Sequence, residues 1–159
     1  MNKLYIGIDG GRDTGLACWN SAQKKYMEIK TTDFWGAIER IEYWNQYCLL
    51  NACELYIIIE NPAGNSPVFK LESVYGSTNG THHAKLSACA FVASSVGSVK
   101  RESELIIEYC NIHKITYRAV IPGKRSLTKM DAKKFEQYTG VSSRTSQHGR
   151  DAAMLVFQM

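Results

Sequence analysis

Two stretches of the chain share one design, and it limits the fold more than any other feature. Leu4-Tyr5-Ile6-Gly7-Ile8-Asp9 and Leu55-Tyr56-Ile57-Ile58-Ile59-Glu60 are apolar runs that each end in a single carboxylate. Aliphatic and aromatic runs of this length form buried strands. Each run therefore carries an acid to the end of a covered strand. Removing a carboxylate from water costs several kcal/mol unless a partner compensates. A chain that does so twice needs something to offset the charge.

The remaining segments fall into place around these two. After Asp9, Gly10-Gly11 turns the chain, and strands are predicted over 15–19 and 25–31, joined by the Asn20-Ser21-Ala22-Gln23 turn. Three strands with short turns make an antiparallel meander. Asp33 is placed to cap a helix over 34–50, where Phe34, Ala37, Ile38, Ile41, Trp44 and Cys48 recur at helical spacing. Asn61-Pro62 stops the second acidic strand, and 63–83, rich in Gly, Ser and Asn, reads as a long loop. Helices are expected over 85–95 and 98–111 with a break near Gly97. A strand follows over 115–121, ended by Pro122-Gly123. A basic helix is expected over 130–138, closed by Gly140, and an apolar helix over 150–159. This order implies one α/β domain over 1–159: a mixed sheet of a three-strand antiparallel meander plus parallel strands, with helices on both faces.

Composition narrows the function classes. A hydrophobic fraction of 45% excludes disorder, and no apolar run approaches the roughly 20 residues of a membrane span. The first residues carry one lysine, a short apolar stretch and then Asp9. They do not read as a signal peptide, so a reducing cytoplasm is expected. The five cysteines are scattered, without a C-x-x-C pair, and read as buried thiols. Net charge is +4 but uneven. Residues 100–150 hold 11 Lys and Arg against 5 Asp and Glu, while the rest of the chain is slightly acidic. Such a basic third suits a polyanionic partner.

A third acid, Asp151, opens the last apolar helix, and His148 lies three residues before it, on the same helical face. Taken singly, each group has a bland role. Asp9 could serve the Gly10-Gly11 turn, Glu60 a solvated strand end, Asp151 a helix N-cap and His148 a surface position. Taken together they conflict, because two carboxylates about 5 Å apart repel by ~3 kcal/mol at an effective dielectric near 20. A divalent cation such as Mg²⁺, which takes oxygen ligands and keeps water positions open, relieves that repulsion.

The arrangement resembles the RuvC-like branch of the RNase H-like superfamily. Gly7-Ile8-Asp9-Gly10-Gly11-Arg12-Asp13-Thr14-Gly15 matches that family's Gly-Ile-Asp-x-Gly-x-x-Thr-Gly pattern. Ile59-Glu60-Asn61-Pro62 resembles its second acidic strand, and His148-Gly149-Arg150-Asp151-Ala152-Ala153 its final His/Asp-x-x-Asp-Ala motif. The shortness of the chain and the Glu-Asn-Pro form look most like phage or prophage members. The resemblance implies a Holliday junction resolvase that cuts branched DNA as a homodimer. It implies two Mg²⁺ ions held by Asp9, Glu60, His148 and Asp151. Gly10 replaces a common proline, and His148 stands where many members carry aspartate, a change that shifts preference toward Mn²⁺. Lys124, Arg125, Lys129, Lys133 and Lys134 are candidate phosphate contacts, and Phe69 and Tyr75, in the long loop, candidate stacking wedges. Competing expectations are a nuclease of the same fold for structured RNA or flap DNA, and a catalytically inactive nucleic-acid-binding relative. A third is one half of an actin-like phosphate-binding fold, which needs two such domains.

Overall fold

The computed structural model describes residues 2–61, 71–121 and 129–159. Five strands form one mixed sheet: β1 (Lys3–Asp9), β2 (Thr14–Asn20), β3 (Lys25–Thr32), β4 (Glu54–Glu60) and β5 (Thr116–Val120), in the spatial order β3-β2-β1-β4-β5. β1, β2 and β3 are antiparallel neighbours, which is the expected meander, and β4 and β5 run parallel to β1. The helices are α1 (Phe34–Leu50), α2 (Leu71–Ser77), α3 (His82–Ile112), α4 (Ala132–Thr139) and α5 (Gln147–Val156). The α/β class and the mixed sheet are as expected, and the arrangement is consistent with an RNase H-like fold.

The period of two along each strand sorts side chains between the two faces of the sheet. Leu4, Ile6 and Ile8 of β1 and Leu55, Ile57 and Ile59 of β4 bury against Ala37, Ile41 and Trp44 of α1 and Ile106 and Cys110 of α3. On the other face Ala17, Trp19 and Ile58 meet Phe135 of α4 and Ala152, Ala153 and Val156 of α5. Helices thus cover both faces. Burying one such aliphatic side chain stabilises the fold by roughly 1.5–3 kcal/mol, and both layers depend on the same central strands.

Local signals fix the helix ends. Asp33 accepts the Gly36 N–H at 2.8 Å, as expected, Asp131 that of Lys134 at 2.8 Å, and Ser146 that of Gly149 at 3.0 Å. Each cap contributes on the order of 1 kcal/mol. Gly140 closes α4 in the left-handed region at φ 75°.

Four boundaries differ from the expectation. α3 is one helix of 31 residues that runs through Gly97, where an added Cβ would meet nothing within 4 Å. A mid-helix glycine costs about 1 kcal/mol relative to alanine, too little to break a helix whose second half is anchored by Ser103, Ile106 and Cys110. The supposed loop 63–83 contains α2, and α3 starts at His82 because Thr81 caps it, accepting from Ala84 N at 3.3 Å. α4 begins at Ala132, after the Asp131 cap, and not at Met130. α5 spans 147–156 in place of 150–159, because the polar Ser146 is its cap. Among the described residues no helix is long and apolar enough to cross a membrane. No disulfide forms among the cysteines of the described residues; Cys18, Cys48 and Cys110 are buried, as expected, whereas Cys53 and Cys89 are only partly buried.

Candidate active site

The site is assembled by strand register. In the parallel β1–β4 pair Asp9 lies directly opposite Glu60. Alternation turns both side chains to the face that α5 covers. Neighbouring strands lie about 4.8 Å apart, so the two carboxylates abut by construction.

Two strand glycines then let α5 reach them. A Cβ at Gly7 would fall 2.0 Å from the carbonyl oxygen of Ala152, and one at Gly15 would fall 2.0 Å from that of His148. Gly15 is the β2 residue opposite Asp9. Its missing side chain seats the first turn of α5 beside that acid, where His148 Nδ1 lies 2.9 Å from Asp9 Oδ2. From the other side, Ser103 of α3 donates to the Glu60 carbonyl at 3.0 Å, and a Cβ at Gly10 would sit 2.7 Å from the Ser103 hydroxyl oxygen. Neither Gly10 nor Gly11 has positive φ. The glycines around Asp9 therefore answer to close approach by α3 and α5 more than to the turn itself.

Asp151 is in the second turn of α5 and does not cap it; Ser146 does. Its side chain is buried, and Oδ1 accepts two hydrogen bonds, from the Lys129 backbone N–H at 2.6 Å and from Gln147 Nε2 at 2.7 Å. Lys129 adopts φ 71°, in the left-handed region that side chains rarely enter. The guanidinium of Arg150, also buried, donates to Met130 O at 3.0 Å, Thr145 O at 2.6 Å and Gln147 Oε1 at 2.9 Å.

Electrostatics mark Asp9 and Glu60 as the strained pair. Burial, then the charge and hydrogen bond of Asp9, then the charge of Asp151, push Glu60 up to about 7, while the Lys129 ammonium pulls the other way. Burial also raises Asp9, against the pull of His148. The oxygen-rich donor set with one imidazole suits a hard divalent ion such as Mg²⁺ or Mn²⁺, and its charge would relieve both acids. As the side chains stand, no group of three or more His, Cys, Asp or Glu among the described residues is arranged to hold an ion. Asp9 is engaged by His148, and one oxygen of Asp151 by Lys129 and Gln147.

The other expected contacts scatter. Lys129 sits at the acids. Lys133 and Lys134 are exposed on α4, and Lys134 lies 3.8 Å from Asp131 in its own cap. Tyr75 is on α2 and not in a loop. Its hydroxyl is 2.7 Å from His82 Nδ1 and its ring lies under Lys85, so it pins α2 to α3. Phe69, Lys124 and Arg125 lie outside the described residues. Sequence reading missed Gln147, Arg150 and Ser103. Only Arg150 left a signal, a cation within the final apolar helix, where burial demands partners. A cleft of about 370 Å³ adjoins the acids, lined by Gly10, Arg12, Phe91, Ser98 and His148 among others. A larger one, about 550 Å³, lies between Trp19, Lys24 and Phe157 and has no carboxylate side chain in its lining.

Comparison with protein-family models, with curated proteins and with solved structures gives no significant match.

Proposed function

We propose that this chain is a metal-dependent endonuclease of the RuvC-like branch of the RNase H-like superfamily. It cuts branched DNA as a Holliday junction resolvase and acts as a homodimer in the cytoplasm. The observation that carries the reading is the β1–β4 register, which sets Asp9 against Glu60 on the face where α5 presents His148 and Asp151. The choice of branched DNA rests on the likeness of the three motifs. A dimer supplies the two sites that two matched cuts require.

In this reading Asp9, Glu60, Asp151 and His148 hold two Mg²⁺ or Mn²⁺ ions. Bound there, the ions supply a hydroxide nucleophile near neutral pH and stabilise the leaving oxygen of an in-line displacement. The protein's own part is preparation. The sheet register fixes two acids, and burial keeps Glu60 ready to release its proton when a cation arrives. Half-exposed His148 stands where the adjoining cleft admits a phosphodiester strand. A second reading, a catalytically inactive nucleic-acid-binding relative, is favoured by one observation: no three ligands close together among the described residues.

A single panel separates the readings. Junction, duplex, flap and RNA–DNA hybrid substrates are incubated with Mg²⁺, Mn²⁺ or chelator, using the wild type and Asp9→Asn. We expect metal-dependent cutting of the junction. Asp9→Asn should lower the rate at least about a hundredfold, equivalent to ~3 kcal/mol, and leave junction binding intact. Cutting by Asp9→Asn at the wild-type rate would overturn the mechanism. Junction binding without cutting in either metal would establish the inactive relative, and preference for flap or hybrid would move the substrate class.

A further inference from the structure

We infer that Gln147 and Arg150 are positioning residues for Asp151, forming a relay that sets which carboxylate oxygen faces the site. The inference rests on the metal-site reading above. Gln147 Nε2 donates to Asp151 Oδ1 at 2.7 Å, and the same amide's Oε1 accepts from Arg150 Nη2 at 2.9 Å. These two bonds fix the amide's orientation, since a flipped Gln147 would set its NH₂ against the guanidinium and its oxygen against the carboxylate. Arg150 is itself held by the carbonyls of Met130 and Thr145, on either side of α4. The Lys129 N–H takes Oδ1 as well, at 2.6 Å.

The consequence is a division of labour between the two oxygens of one carboxylate. Oδ1 is saturated by two donors, and no hydrogen bond is recorded to Oδ2 among the described residues. A carboxylate fixed in this way presents one oxygen to a cation and keeps the other on the protein, as outer-shell partners of metal ligands commonly arrange. The spacing is local. Gln147, Arg150 and Asp151 lie within two turns of α5, so the helix that carries the ligand also carries its support. Sequence patterning alone leaves Gln147 in a polar segment ahead of the helix expected over 150–159 and says nothing more.

The test compares Gln147→Met and Arg150→Lys with wild type by calorimetric titration with Mn²⁺ alone and by metal-free thermal melting. Gln147→Met keeps the side chain's length and removes both bonds; Gln147 is only half-buried, so the fold should tolerate it. We expect Mn²⁺ affinity to fall about tenfold, the lower end of the range for outer-shell losses, with a metal-free melting temperature close to wild type. Arg150→Lys, which cannot span all three acceptors, should weaken Mn²⁺ in the same direction. In an Asp151→Asn background Gln147→Met should have no further effect. Mn²⁺ binding at wild-type strength by a folded Gln147→Met or Arg150→Lys would overturn the relay and leave the metal site standing. A wild type that binds no Mn²⁺ would overturn both.

Discussion

Glu60 is held in a state it would not choose in water. Its carboxyl is pushed from an ordinary 4.5 to about 7, first by burial and then by Asp9. Between those values the folded chain binds more protons at this position than the unfolded chain does. By linkage, this group's contribution to stability is fully present below pH 4.5, declines as pH rises through about 7, and then stays level. The sign is opposite to that of a salt-bridged carboxylate. Asp9, raised by burial, adds to the same trend. Glu60→Gln keeps the shape and removes the titration. In melts run with chelator between pH 4.5 and 8, the difference between variant and wild type should grow with pH and favour the variant at pH 8. Its size should be on the order of 1–2 kcal/mol, the full shift being discounted for solvent screening at a half-buried group. Parallel pH profiles for the two proteins would remove Glu60 from the strained pair. The same exchange removes a proposed ligand, so the stabilised variant should be inactive, the usual opposition between stability and function at such sites.

Elements were legible where a local pattern and the tertiary structure agree. The continuous apolar runs of β1 and β4 and the 3.6-residue spacing in α1 predict those elements, and the terminal acids of the two runs foretell a paired site because both strands, being parallel neighbours, finish at the same end of the sheet. What escaped was set by long-range contacts. Gly97 with its neighbouring serines reads as a helix break, yet α3 continues because its second half is anchored on the sheet. The partners of Asp151 include a backbone N–H 22 residues away, which no local window contains. Glycine roles show the same limit, since Gly15 and Gly97 look alike in sequence and differ in space. Gly97→Ala fills empty solvent on a helix and should stabilise by about 0.5–1 kcal/mol. Gly15→Ala places a methyl 2.0 Å from the His148 carbonyl, so α5 must move. It should destabilise by roughly 1–3 kcal/mol, as overpacking does, and depress cutting further by parting His148 from Asp9. Chemical denaturation of the two variants reads both signs. A Gly15→Ala protein as stable as wild type would mean that α5 is not seated through that gap.

At the scale of the whole molecule the basic charge is concentrated in residues 100–150, and of it Lys129 lies close enough to act on Glu60. The basic residues of 100–150 include the exposed Lys133 and Lys134 of α4, a helix fixed to the sheet by Phe135. α4 neighbours α5, and Arg150 ties Met130, just before α4, to the turn that carries His148. A polyanion running along α4 would therefore arrive at the carboxylates. The lysines are not equivalent. Lys129 offsets the charge of Glu60, so its removal would alter the site as well as the surface. Lys134 has Asp131 close by. No ion pair is recorded for Lys133 among the described residues, and it is exposed, which makes it the cleanest probe of a phosphate contact. In an Asp9→Asn background that binds without cutting, Lys133→Ala should weaken junction binding equally across sequences, because phosphate contacts carry no sequence information. The slope of log affinity against log salt should fall by about 0.9 for the one phosphate released, as for any lost contact on duplex arms. Fluorescence anisotropy from low to moderate salt measures both quantities. An affinity loss with an unchanged slope would indicate a disturbed α4 and not a lost contact. An unchanged slope and affinity would take the nucleic acid off α4 and leave the acids to be approached from the cleft beside Arg12 and Phe91.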